Sequence, residues 1–274
     1  MKLVGYSDLP KEIAEQIEKV TDIWKKHLGN QLVGVYLHGS IALDAFQPES
    51  GDIDLLIVVK DSISVQEKLD IAKEIIEIDG CPRPLEMSAI KLEDAKNWKT
   101  PGNCVFHYSD FWTQKYLQRF EKEEVEVYVV DQEFPDADVT SYIKLINQCG
   151  IVLFGQDISK TFCDISDEDF WSAISADIDD YDFHDYKPRY FASNILILGR
   201  ILSFKVEKRI LSKYDGGLWM IENVPKHLKH IPELAMKIWF EGEEHTFQRD
   251  ELEELRNYLV SKIKGREKND ECKG

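Results

Sequence analysis

Cysteine is scarce in this chain, and its spacing matches neither a disulfide framework nor a zinc site. The five cysteines are odd in number, widely scattered and without a C-x-x-C pair. Such usage is typical of a protein kept in a reducing compartment. The first twenty residues also lack the apolar segment that a signal peptide requires. We therefore expect a cytoplasmic protein.

Positive charge is also in short supply. Lysine and arginine total 34 against 51 aspartates and glutamates, which leaves a net charge of −17. Nucleic-acid-binding proteins usually present a basic face, and peripheral membrane proteins need cations against anionic lipid. No apolar run approaches the ~20 residues that span a bilayer. We therefore expect no nucleic-acid and no membrane partner. We also expect a monomer.

Apolar residues, at 43% of the chain, are numerous enough for a packed core, which excludes global disorder. The first half of the sequence alternates helical periods with short runs rich in β-forming residues. Helices are predicted over 7–29 and 64–79, strands over 31–38, 53–59 and 84–90, and a fourth strand or edge hairpin over 124–130.

From about residue 137 the pattern changes to helical periods. Helices are predicted over 139–148, 167–178, 188–206, 213–223, 231–240 and 249–264, after a linker with proline and aspartate over 132–138. The sequence thus predicts an α+β protein. Its N-terminal domain, 1–136, has a mixed sheet with flanking helices, and an all-helical domain, 137–274, follows.

The segment 35–59 carries the most informative pattern. A strand runs into Gly39 and Ser40, a short helical stretch follows, and the next strand carries Asp52 and Asp54. Side chains two apart on a strand point to the same face, so the two carboxylates lie side by side, an arrangement that suits Mg²⁺. Gly39 permits close backbone approach, and a helix N-terminus at Ser40 favours phosphate oxygens. These features together indicate phosphoryl or nucleotidyl transfer.

A third carboxylate is expected nearby, as a further metal ligand or as the base for the attacking hydroxyl. Glu86 is the best candidate, because a lone acid within the apolar strand PLEMSAI needs a partner or a role. Each of these features alone has an ordinary structural explanation. A Gly-Ser pair is usually a turn, a D-x-D motif is often an exposed strand edge or loop, and a single glutamate on a strand can simply face solvent. Their combination at this spacing favours the functional interpretation.

The stretch HGSIALDAFQPESGDIDLLIVV resembles the signature of the DNA polymerase β-like nucleotidyltransferase superfamily: Gly-Ser, about a dozen residues, then Asp-x-Asp. RPLEMSAI (83–90) and ILSKYDGGLWMIENVP (210–225) further resemble the streptomycin/spectinomycin adenylyltransferases, which modify aminoglycosides. The likeness covers most of the chain, with two domains in the same order. That family transfers AMP from ATP to a drug hydroxyl in a cleft between the domains.

For the first domain the resemblance implies a Mg²⁺ site and a base. Asp52 and Asp54 would bind Mg²⁺, Glu86 would be the catalytic base and also a ligand, and Ser40 with Gly39 would contact a phosphate. One departure is Gly51 directly before the first aspartate, where closer family members have serine.

For the helical domain the resemblance implies nucleotide contacts. Arg200 and Lys213 would reach the triphosphate, and Trp239 lies near the family's aromatic residue that packs on the adenine. Trp112, in the first domain, falls near a family tryptophan that contacts streptomycin.

Acidic residues interleaved with aromatic rings over 164–185 would attract a polycationic, polyhydroxyl acceptor. We interpret most of these acids as solvated surface. Asp182 and Asp185, nearest the predicted cleft, are candidates for acceptor binding, although Lys187 and Arg189 follow where the family is acidic.

The sequence therefore predicts Mg²⁺-dependent transfer of AMP from ATP to a hydroxyl of a small acceptor, most simply an aminoglycoside or aminocyclitol antibiotic. One alternative is a nucleotide-binding regulatory module that keeps the fold without turnover. Another is a nucleotidyltransferase that acts on a protein or an unrelated metabolite.

Overall fold

The computed structural model describes residues 2–122, 124–176, 178 and 187–265. The chain divides into two compact units, Lys2–Ala173 and Ile174–Gly274. Within the described residues no helix has both the length and the apolar composition that crossing a bilayer requires.

The N-terminal unit is built on a mixed β-sheet. Its strands are β1 (Leu32–Leu37), β2 (Ile53–Val59), β3 (Leu85–Lys91), β4 (Gly102–Cys104), β5 (Phe106–Tyr108), β6 (Phe134–Asp136) and β7 (Ile151–Gly155). The sheet order is β5-β3-β2-β1-β7, with β2 and β3 parallel and the other neighbours antiparallel. Strands β4 and β6 form a separate antiparallel pair. The predicted mixed sheet is confirmed.

Helices flank this sheet and cover its central strands. They are α1 (Lys11–Leu28), α2 (Gly39–Ala42), α3 (Val65–Ile78), α4 (Leu92–Lys96), α5 (Asp110–Glu121), α6 (Tyr128–Asp131), α7 (Asp138–Cys149), α8 (Ile158–Thr161) and α9 (Asp167–Ser175). Every residue of β1 is buried, as expected for a continuous apolar run in the middle of a sheet. Helix α1 buries one apolar stripe, and α3 begins with a capping box between Ser64 and Glu67.

The strand predicted over 124–130 is wrong. The chain instead forms the helical turn α6, whose Val129 and Val130 are buried. The Asp131 carboxylate accepts hydrogen bonds from the Val127 N–H at 2.6 Å and from the Arg119 guanidinium at 3.1 Å. These hydrogen bonds satisfy the polar groups of the turn without a neighbouring strand. The alternating apolar residues therefore cover the buried face of a helical turn and not one face of a strand.

The observed division of the chain differs from the expected boundary at 136/137. Segment 132–138 is no free linker, because β6 pairs with β4. After α7 the chain returns to the sheet as β7, antiparallel to β1, although helices alone were predicted from residue 137. The N-terminal unit extends to Ala173.

The C-terminal unit is helical in its described part, as predicted. Its helices are α10 (Pro188–Glu207), α11 (Lys213–Asn223), α12 (His230–Met236) and α13 (Arg249–Lys264), with a 3-10 turn over Lys226–Leu228 and a π-helical turn over Lys237–Glu241. The single helix predicted over 231–240 is therefore two segments. Helix α10 is the most buried of the four and packs against the other three.

Candidate active site

Three carboxylates meet at one edge of the sheet. Asp52 precedes β2, Asp54 is the second residue of β2, and Glu86 is the second residue of β3. The parallel register places Asp54 directly opposite Glu86. Each of the three acids offers an oxygen, and these oxygens all lie within 4.8 Å of one another. Strand pairing thus assembles acids that are more than thirty residues apart in sequence.

The Glu86 carboxyl group is the most perturbed of the three. Burial raises its pKa, and the negative charge of Asp52 raises it further, to about 7. Asp138 and Asp110 add smaller contributions in the same direction, and a hydrogen bond from the Tyr142 hydroxyl opposes them. A buried carboxyl group beside other anions holds its proton until a cation compensates the negative charge.

A tight turn lies against these acids. Gly39 has φ +67°, and a Cβ there would overlap with the Asp54 carboxylate. The turn is also joined to β2 by a hydrogen bond of 3.0 Å from the His38 N–H to the Asp54 carbonyl. The Ser40 hydroxyl is buried and has no hydrogen-bond partner in the described part of the chain. Gly39 is therefore required sterically, and Ser40 offers an unused polar group beside the carboxylates.

The three acids fit a hard divalent cation. Mg²⁺ prefers oxygen ligands, and three anionic side chains this close repel one another without a positive charge between them. Within the described residues this is the only group of three or more histidine, cysteine or acidic side chains with ligand atoms so close together.

Arg83 supports the loop that presents Asp52, a role that the sequence pattern did not reveal. Its guanidinium donates to the Gly51 carbonyl at 2.6 Å and to the Glu49 carbonyl at 2.8 Å, and its own N–H donates to Gln16 of α1 at 3.0 Å. The motif RPLEMSAI pointed to this segment, but a side chain that binds backbone carbonyls in a distant loop leaves no periodic signal.

Two other residues near Glu86 also escaped the sequence reasoning as site residues. Tyr142 of α7 donates a hydrogen bond of 3.4 Å to Glu86 Oε1. The ring of His38 stacks on Tyr142 with centroids 4.5 Å apart. Burial lowers the pKa of His38 to about 3, so this ring is neutral at physiological pH. Tyr142 lies 56 residues from Glu86, and no local motif connects them.

In the C-terminal unit the structure brings Lys213 and Trp239 together. The Lys213 ammonium lies 4.3 Å from the centroid of the Trp239 ring, and the Arg189 guanidinium lies 4.5 Å from it. Arg200 donates to the Leu211 carbonyl at 2.8 Å, close in sequence to Lys213. The three residues predicted for nucleotide binding thus lie in one helical unit, and Arg189 is a further cation that the resemblance did not assign.

The candidate acceptor residues are placed only in part. Trp112 is half-buried in the first turn of α5, with its ring edge-to-face against Phe111. It lies two residues after Asp110, whose charge acts on Glu86. Asp182 and Asp185 lie outside the described residues.

The raised pKa of Glu86 predicts a pH-dependent stability in protein freed of divalent ions. A carboxyl group whose pKa is higher in the folded than in the unfolded state contributes stability below the unfolded value, near 4.5, and loses it as the pH rises through about 7. In urea unfolding with EDTA, Glu86→Gln should therefore be about 3 kcal/mol more stable than wild type at pH 8 and nearly equal to it at pH 4. A constant difference between pH 4 and pH 8 would contradict this assignment.

Comparisons with known proteins place both parts of the chain. The family model "Polymerase beta, Nucleotidyltransferase" matches residues 18–100, and the model "Aminoglycoside adenylyltransferase, C-terminal domain" matches residues 160–262. The two matches occur in the order that the sequence motifs predicted.

Whole-chain relatives agree with the family models. The chain is 25% identical to the spectinomycin 9-adenylyltransferase of Enterococcus faecalis, over 91% of this chain and 96% of that protein. It is 20% identical to the aminoglycoside (3'') (9) adenylyltransferase of Shigella flexneri, over 92% of this chain and 95% of that protein. A shorter match, 31% identical over 36% of this chain and 40% of the relative, is to the spectinomycin 9-adenylyltransferase of Campylobacter jejuni.

A solved structure shares the fold. The crystal structure of the spectinomycin adenyltransferase AAD(9) from Enterococcus faecalis, with ATP and spectinomycin, matches with a TM-score of 0.78 and 24% sequence identity. The match covers 92% of this chain and 99% of that chain.

Proposed function

This chain belongs to the aminoglycoside adenylyltransferase family of nucleotidyltransferases, and we propose that it transfers AMP from ATP to a hydroxyl group of spectinomycin or a closely related aminocyclitol. The observation that carries the proposal is the cluster of Asp52, Asp54 and Glu86 beneath the Gly39 turn. Spectinomycin is favoured because the whole-chain relative named for it shares 25% identity with this chain, against 20% for the relative named aminoglycoside (3'') (9) adenylyltransferase. From the acidic charge balance and the scattered cysteines we further propose that it acts in the cytoplasm without nucleic-acid or membrane partners, and that it is a monomer.

The carboxylates divide the work of the reaction. Asp52, Asp54 and Glu86 would hold Mg²⁺, which would neutralise the phosphates and stabilise the charge that develops on the α-phosphoryl oxygens. Glu86 accepts the proton of the acceptor hydroxyl while the oxygen of that hydroxyl forms a bond to the α-phosphorus. The bond from the α-phosphorus to the bridging oxygen breaks, and pyrophosphate leaves with the electron pair.

Cations of this acidic chain bind the nucleotide phosphates. Ser40 donates its hydroxyl to a phosphate oxygen, and Arg200 and Lys213 neutralise the triphosphate. The Lys213 ammonium lies over the Trp239 ring, and we propose that it turns to the phosphates and leaves that ring to pack against the adenine. On the acceptor side, Trp112 offers a ring face to a sugar, and Asp182 and Asp185 attract ammonium groups.

A mass-shift assay tests the proposal. Purified protein is incubated with ATP and Mg²⁺ and with spectinomycin, streptomycin or a pool of cell metabolites, and the products are separated by chromatography and mass spectrometry. We expect an AMP adduct on spectinomycin and an equal amount of pyrophosphate.

The matched control is Asp54→Asn, which keeps the side-chain shape but removes one ligand charge. It should weaken Mg²⁺-dependent ATP binding and abolish the adduct. If the wild-type protein binds ATP but forms no adduct with any acceptor, a regulatory module is favoured instead. An adduct on a protein or on another metabolite would show that the acceptor is not spectinomycin.

A further inference from the structure

Tyr142 connects the Glu86 carboxylate to the turn at Gly39. Its hydroxyl donates to Glu86 Oε1 at 3.4 Å, and its ring stacks on His38 at a centroid distance of 4.5 Å and an interplanar angle of 23°. His38 directly precedes Gly39. One aromatic pair thus lies against both the candidate base and the backbone turn.

His38 is held firmly enough to serve as an anchor. The residue is 4% exposed, and its ring makes a hydrogen bond with the backbone of Leu55. Its own N–H donates to the Asp54 carbonyl at 3.0 Å. The His38 ring is therefore fixed to β2, the strand that carries Asp54. Tyr142, which stacks on this ring, places its hydroxyl at a fixed position beside Glu86.

We propose that Tyr142 is a positioning residue, which holds the Glu86 carboxylate in register with Asp54 through its stacking contact with His38. The inference rests on the proposed function, since it assumes that Glu86 acts at the reacting hydroxyl. Neither the family models nor the names of the relatives assign a role to Tyr142 or His38.

The need for such a residue follows from the glutamate side chain. Glutamate has three rotatable side-chain bonds, and its terminal torsion is broad, so strand pairing alone does not fix the carboxylate plane. An error of about 1 Å in the position of a reacting group can cost roughly a hundredfold in rate. A hydrogen bond to one carboxylate oxygen restricts rotation of the carboxylate plane.

The hydrogen bond is not the only contact that places Tyr142. At 3.4 Å it is longer than the roughly 2.5–3.0 Å usual for hydroxyl–oxygen bonds, so the positioning relies also on the ring stacked on His38. Tyr142 also lies one helical turn after Asp138, at the start of α7, so the helix end and the ring approach Glu86 together.

The test compares Tyr142→Phe with Tyr36→Phe. Both substitutions remove a tyrosine hydroxyl and leave the ring. Tyr36 binds the Gln156 carbonyl and the Thr161 hydroxyl, away from the carboxylates. At saturating Mg²⁺ we expect Tyr142→Phe to lower kcat for AMP transfer by about tenfold with an unchanged KM for ATP. Tyr36→Phe should lower thermal stability but keep kcat. Equal kcat values for wild type and Tyr142→Phe would overturn the proposal.

A second readout does not depend on turnover. Glu86 is also a candidate metal ligand, so a loosened carboxylate should weaken Mn²⁺ binding, measured by electron paramagnetic resonance, by about tenfold in Tyr142→Phe and not at all in Tyr36→Phe. If Tyr142→Phe binds Mn²⁺ as tightly as wild type does, the positioning role is excluded. This result does not depend on which acceptor the enzyme uses.

A double-mutant cycle tests the link through His38. His38→Gln removes the stacked ring, and its effect on kcat should overlap with that of Tyr142→Phe rather than multiply it. Fully multiplicative effects would overturn the coupling. Undiminished turnover in Glu86→Gln would instead count against the proposed function, so the two failures are distinguishable.

Discussion

Glu86→Gln is expected to reduce AMP transfer by about a thousandfold while ATP binding stays within a fewfold of wild type. The substitution keeps the size of the side chain and the acceptor oxygen for Tyr142, but it removes the group that takes the hydroxyl proton. General bases contribute roughly 10²–10⁴ to rate, and loss of one anionic ligand adds to the effect. The measurement is single-turnover AMP transfer at saturating ATP, with ATP affinity measured separately by calorimetry.

Glu93→Gln is the matched control for this result. Glu93 is exposed at the start of α4 and is not part of the carboxylate cluster. Its variant should transfer AMP at the wild-type rate. If Glu86→Gln also retains more than about a tenth of wild-type turnover, Glu86 is not the base.

Gly39→Ala is expected to damage both the fold and the reaction. The left-handed backbone at Gly39 alone costs a non-glycine residue roughly 1–2 kcal/mol. The new Cβ would also overlap with the Asp54 carboxylate, so either the turn or this candidate metal ligand must move. We expect a loss of about 2–4 kcal/mol in the free energy of unfolding and a fall in AMP transfer of at least about a hundredfold. Urea unfolding and the transfer assay measure the two effects.

Gly80→Ala separates the steric effect from the backbone effect. Gly80 has φ +70°, almost the same as Gly39, but a Cβ there has no heavy atom within 4 Å. Its variant should lose only the backbone contribution, about 1 kcal/mol, and keep full activity. Equal losses of AMP transfer in the two variants would mean that the contact between Gly39 and Asp54 is unimportant for the reaction.

Several expectations from the sequence are confirmed: the family resemblance, the α+β fold class with its mixed sheet, and the assignment as a nucleotidyltransferase. The roles of the individual site residues and the acceptor stay predictions. Sequence reasoning worked best over 35–59, where a strand, a glycine turn and a second strand follow one another closely enough for local rules to apply.

The same reasoning failed where partners are distant. The alternating segment 124–130 was assigned to a strand, but its valines are buried around the helical turn α6. β7 was missed within a stretch of helical periods, because its pairing with β1 crosses more than a hundred residues. Hydropathy periods record which face of a segment is buried, but they do not record which segment buries it.

The sequence alone determined the spacing of Gly39, Asp52 and Asp54, because the period of a β-strand and the freedom of glycine are local properties. It also singled out Glu86, since an acid in an apolar strand is costly without a role. The tertiary structure decided the rest. The parallel register of β2 and β3 sets Glu86 opposite Asp54, and α7 brings Tyr142 to the Glu86 carboxylate. Strand register and helix packing minimise the free energy of the whole core, so contacts across 32 or 56 residues follow from the packed fold and not from any segment by itself.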